Sequence, residues 1–139
     1  MRDGAAIEAI TLERGQCYGS CPVYAVTFRR DGTASWHGKL FTLPRGDEAG
    51  EIDGQAFTEL AGFIERAGFF GWASMYETEI SCVPAYALTV VVADGRSKTV
   101  RQTGTSDPPG FGAIGRRIDE CARDLGWCGR VPERPFDGT

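Results

Sequence analysis

Within eight residues the chain places two thiols, a glycine, a proline and two tyrosines: Cys17, Tyr18, Gly19, Ser20, Cys21, Pro22, Val23 and Tyr24. Thiolates are nucleophiles, redox couples and soft metal ligands, so this stretch is the densest chemistry in the sequence. Three roles compete for Cys17 and Cys21. The first is structural: Gly19 permits an unusual backbone angle at a strand-to-strand corner, and the thiols are small buried hydrophobes or a local disulfide. The second is redox chemistry, because a bent loop brings the sulfurs to bonding distance and Pro22 adds no competing N–H. That role also needs a lowered thiol pKa; Arg14 is the nearest cation in sequence, and the spacing is not C-x-x-C. The third is zinc, with Cys82 as a third ligand and His37 or Cys128 as a fourth. Cys-x3-Cys matches a zinc knuckle only loosely and lacks a second pair. Shape explains the two cysteines better than reactivity does, and the candidate functional loop is Cys17, Gly19, Cys21, Pro22 and Tyr24 with Cys82.

Other reactive side chains read as scaffold. Cys121 falls on the apolar stripe of a helix, and Cys128 lies in the tail. His37 alternates with Trp36 on a strand and points to solvent, with no partner in sight for general-base work. The glycines around Gly110-Phe111-Gly112 and Gly68 to Gly71 lack the strand, loop and helix context of a phosphate site. The sequence carries no G-x-S-x-G, no H-E-x-x-H and no paired-carboxylate signature. No catalytic residue, metal ligand set or cofactor is assigned.

The elements that hold these residues follow from hydrophobic period. Ile7 to Glu13 reads as a strand with Ile10 and Leu12 inward. Val23 to Arg29 is a second, with Tyr24, Val26 and Phe28 on one face. Asp31-Gly32 turns the chain into a third strand, Thr33 to Gly38, with Ala34 and Trp36 inward. Residues 39–54 read as a polar connection or an extension of that strand. A helix runs from Gly54 to Ala67, capped by Asp53 and stopped by Gly68, with Phe57, Leu60, Ala61 and Ile64 as its buried stripe. Phe69, Phe70 and Trp72 form an aromatic cluster, and 73–84 reads as irregular. Tyr86 to Ala93 is a central strand, apolar on both faces. Asp94-Gly95 turns it into Ser97 to Gln102, a polar edge. A second helix spans about Pro109 to Leu125, with Asp107 or Ser106 near its start and Phe111, Ile114, Ile118, Cys121, Ala122 and Leu125 on one stripe.

This order, βββαββα, lacks the strand-helix alternation of a parallel sheet. It predicts an α+β two-layer sandwich: a mainly antiparallel sheet of about five strands with both helices on one face. Residues 1–125 form one domain, and 126–139 are a tail that hugs the surface or frays.

Composition narrows the partners. Of 139 residues 42% are hydrophobic and 24% charged, ordinary for a globular chain. A net charge of -4 and scattered arginines disfavour nucleic acid. No run approaches a membrane span, and the first nine residues lack an apolar signal-peptide core. Five cysteines do not suit a complete disulfide framework, so the expectation is a cytoplasmic chain with reduced thiols.

The pattern Cys17-x-Gly19-x-Cys21-Pro22-x-Tyr24, followed by Asp31-Gly32, resembles the family known as domain of unknown function 6438. Phe69, Tyr76, Pro84, the Gly95 to Val100 return strand and Ile118-Asp119 fall in matching places, so the resemblance covers roughly residues 7–125. It implies a small bacterial α+β domain, often exported or lipid-anchored, and no activity. Cys82 stands where the family typically has an acidic residue, which argues against a required carboxylate there. The combined expectation is a non-enzymatic binding or structural module with a protein or small-molecule partner. A thiol redox protein using Cys17 and Cys21 is the alternative, and a zinc-stabilised module a weaker one.

Overall fold

Alternation of apolar and polar residues builds one sheet with one buried face. The computed structural model describes residues 6–15, 22–77, 85–103, 105 and 107–129; Cys17, Gly19, Cys21 and Cys82 lie outside them. The strands are β1 (Ile7–Arg14), β2 (Val23–Arg29), β3 (Thr33–Leu40), β4 (Thr42–Leu43), β5 (Gly46–Glu51), β6 (Met75–Glu77), β7 (Ala85–Val92), β8 (Ser97–Thr103) and β9 (Cys128–Gly129). The helices are α1 (Gly54–Ala67) and α2 (Phe111–Asp124). Seven strands join in the order β5-β3-β2-β1-β7-β8-β6, antiparallel except for the β6–β8 pair, and β4 with β9 forms a separate two-stranded ladder.

The α+β class and the two helices agree with the sequence reading, whereas the strand count and order differ. Residues 46–51 are not a loop. They form β5 against β3, although their polar, glycine-containing composition gives no strand signal. Likewise Met75–Glu77 adds in parallel to β8, so β8 is not the sheet edge. These strands are held by backbone bonds at the margins, where no apolar period is needed.

Every second residue of the central strands enters a shared core. Ile10, Val26, Phe28, Leu88, Val90 and Val100 are fully buried, and Phe57, Ile64, Ile114 and Ile118 cover them from the helices. The opposite face carries small polar side chains. Thr11 and Thr27 hydroxyls meet at 2.8 Å, and Thr89 and Thr99 at 2.7 Å, in one row across four strands.

Helix α1 starts at Asp53, whose carboxylate accepts from Gln55 N, and ends at Gly68 in the left-handed region (φ 93°). Helix α2 begins at Phe111, two residues inside the expected Pro109. Its cap is Gly110 (φ 97°) with no side-chain bond, while Asp107 faces the preceding turn and its carbonyl accepts from Gln102 Nε2. Lys98 Nζ donates to the carbonyls of Phe70 (3.0 Å) and Trp72 (2.6 Å), pinning the aromatic turn whose Trp72 ring stacks on Phe111.

Past α2, Trp127 is only 5% exposed and stacks on Trp36 at 5.9 Å, which itself stacks on Tyr24 at 4.8 Å. Burying an indole of this kind removes about 200 Å2 from water, worth roughly 5 kcal/mol before entropy. Trp36 Nε1 and Thr42 Oγ1 both donate to Pro44 O. Gly38 lies under that corner: a Cβ there would sit 2.3 Å from Pro44 O and 2.4 Å from Thr42 Oγ1. Gly38→Ala should therefore destabilise the chain by about 2–3 kcal/mol in chemical denaturation. An unchanged denaturation midpoint would show that the corner yields freely.

Candidate functional site

Strand register gathers the site. On the buried side of the sheet, Arg14 at the end of β1 stands opposite Tyr24 on β2 and Tyr86 on β7, and Tyr86 stands opposite Gln102 on β8. Residues directly opposite one another share a face, so Tyr24, Arg14, Tyr86 and Gln102 form one row. The apolar rows beneath it, including Leu12, Val26 and Leu88, make the core. This row is where the core gives way to polar side chains.

Helix α2 supplies the facing wall. Phe111, Ile114, Ile118 and Ala122 point into the core. A neighbouring stripe of Gly112, Gly115, Arg116, Asp119 and Arg123 borders the open space between helix and row. That space has two lobes that meet at Asp119. One, of 320 Å3, is lined by Leu12, Tyr86, Gln102, Phe111, Gly112, Gly115 and Arg116. The other, of 380 Å3, is lined by Arg14, Pro22, Tyr24, Trp36, Arg123, Trp127 and the Cys128–Gly129 strand. Both volumes suit a small ligand.

Tyr24 Oη donates to Asp119 Oδ1 at 2.6 Å, the length of a charge-assisted bond. Burial is the main reason that the Tyr24 hydroxyl holds its proton well above the usual tyrosine range, and the Asp119 charge adds to it. Burial also raises the Asp119 pKa, opposed by the Tyr24 bond and by the Arg14 and Arg123 charges. Arg14 lies with its guanidinium carbon 5.2 Å from the Tyr86 ring centre. Its Nε is sealed from water without a hydrogen-bond partner among the described residues.

Of the loop expected to carry function, Pro22 and Tyr24 reach this cleft, and Cys17, Gly19, Cys21 and Cys82 lie outside the described residues. Pro22 is buried and packs so tightly on Gly129 that a Cβ there would lie 2.6 Å from its ring. Cys128 borders the cleft, whereas Cys121 sits on the far side of α2 with its pKa raised, chiefly by burial. His37 is exposed, as its alternation predicts, and pairs with Asp47 across β3 and β5. The sequence marks Arg14 only as the cation nearest the cysteines and Asp119 only as a position of the family resemblance, and it marks neither Gln102 nor Trp127. Extending the Ile10–Leu12 alternation by two residues would have turned Arg14 inward.

The Tyr24–Asp119 bond makes stability depend on alkaline pH in a defined sense. Tyr24 has a raised folded pKa, so its contribution is full below the unfolded value of about 10 and is lost as pH rises through the folded one. Tyr24→Phe should cost about 1.5–3 kcal/mol near neutrality. The gap between the two proteins should narrow above about pH 10, where unfolded wild type gains from ionising Tyr24. A gap that stays constant from neutral to alkaline pH would mean that Tyr24 titrates alike in both states.

The family model described as Domain of unknown function (DUF6438) matches residues 8–122. That span includes the whole Tyr24, Arg14, Tyr86 and Gln102 row and the α2 stripe through Asp119. No curated protein matches the chain. With five-sixths of its length inside the family's boundaries, from the second residue of β1 to nearly the end of α2, the chain belongs to the DUF6438 family.

Proposed function

We propose that the domain is a non-enzymatic binding module whose site is the cleft between α2 and the Tyr24, Arg14, Tyr86 and Gln102 row. The observation that carries this reading is the pair Gly112 and Gly115 inside α2. A glycine within a helix costs about 1 kcal/mol relative to alanine. Packing does not require either: a Cβ at Gly112 would meet only Arg116 Nη1 at 3.6 Å, and one at Gly115 would meet nothing within 4 Å. Their effect is to keep the helix wall low along the 320 Å3 lobe.

The polar groups support holding over reacting. Tyr24 is locked as a donor to Asp119 and keeps its proton far above neutral pH, which suits a rigid wall more than a proton carrier. Pro22 and Tyr24 tie the end of the cysteine loop to this cleft. The thiol and zinc readings rest on Cys17, Cys21 and Cys82, which lie outside the described residues; among the described residues no three His, Cys, Asp or Glu gather as a metal would require.

Gly115→Ala should stabilise the protein by about 1 kcal/mol in denaturation, since it lowers backbone entropy without a clash. Gly115→Leu should fold equally well and fill the lobe. A fragment screen followed by 15N–1H spectra should place hits on Gly112, Gly115, Tyr86 and the Trp127 indole in wild type, and lose them in Gly115→Leu. Hits that cluster elsewhere, or that survive in Gly115→Leu, would overturn the cleft as the site.

A further inference from the structure

The geometry points to a specific ligand class for this cleft: a small organic monoanion, a carboxylate with a flat or short-chain apolar body. The inference rests on the binding reading above and adds the chemistry of the occupant. Three arginines, Arg14, Arg116 and Arg123, line the two lobes against a single carboxylate, Asp119, in a chain whose net charge is -4. Among the described residues no carboxylate oxygen comes within 4 Å of any of these guanidinium groups. Asp119 instead takes its hydrogen bond from Tyr24. The cleft is thus a cationic spot on an acidic protein: three guanidinium groups share the field of one carboxylate, Asp119, and none forms an ion pair with it within 4 Å.

Arg14 fixes where the anion sits. It lines the polar lobe, and its guanidinium lies over the ring of Tyr86, which lines the apolar one. Its planar fork matches a carboxylate. A carboxylate held there lays its attached carbon chain along Tyr86, Leu12 and Phe111, against the low glycine wall. At the far end Gln102 donates its amide to Asp107 O, which leaves its Oε1 without a described donor and able to accept from a polar group on the ligand. The Asp119 carboxylate at the junction of the lobes disfavours a second negative charge, so a monoanion fits better than a phosphate dianion.

The test is titration of the full chain at low ionic strength with 3-phenylpropionate and butanoate, each beside its uncharged amide, followed by 15N–1H spectra. The acids should shift Gly112, Gly115 and the Trp127 indole and bind at least about tenfold more tightly than the amides, a difference of ~1.4 kcal/mol. Arg14→Met keeps the apolar stem and removes the charge. It should abolish the tenfold preference of each acid over its amide. Acid and amide binding equally at the cleft would overturn the anion inference and leave the binding module standing. Acids that bind the cleft unaltered in a folded Arg14→Met would overturn Arg14 as the anchor and with it this inference. No shift at the cleft from any of the four probes, in a protein whose spectrum is that of the folded chain, would overturn it as well, while fragment hits at the cleft would show that the binding reading survives.

Discussion

The hydrogen bond from Tyr24 to Asp119 joins the end of the sheet to the second half of α2 across 95 positions of sequence. Around it, the apolar row of Leu12 and Leu88 gives way to the larger side chains of Tyr24, Arg14 and Tyr86. The bond ties the helix to this row, and the two lobes of the cleft meet at Asp119. Aromatic packing sets its outer limit, since Tyr24, Trp36 and Trp127 stack in sequence and close the end near β4 and β9.

Charge follows the same construction. In the core rows, apolar side chains from both layers meet and exclude water. One row further along, the strands present a guanidinium and two phenols, and a half-buried cation needs compensation. The structure provides part of it through the face of the Tyr86 ring and through the field of Asp119. What is left uncompensated distinguishes this end of the molecule from the threonine-rich outer face, where the hydroxyls pair with each other.

Periodicity made the core legible and left the margins hidden. Val23–Arg29 and Gly54–Ala67 have the bounds that alternation and caps predict. The strand Gly46–Glu51 escaped because Asp47, Glu48, Ala49 and Glu51 face water and its pairing needs only backbone groups. Trp127 escaped because it follows a helix end and a glycine, where no period remains to assign a side, yet the cavity beside Trp36 accepts it. The cysteine stretch drew attention by residue type. Its last residue, Tyr24, and Arg14 just before it border the described site, and strand register, a relation between distant segments that residue type does not announce, sets them side by side.

The cleft draws its walls from Leu12 near one end of the chain and Gly129 near the other, with β2, β3, β7, β8 and α2 between. No contiguous fragment contains it. Occupancy is therefore coupled to the global folding equilibrium: a ligand that requires the assembled cleft adds its binding free energy to the stability of the entire domain, and any partial opening that frees α2 releases it.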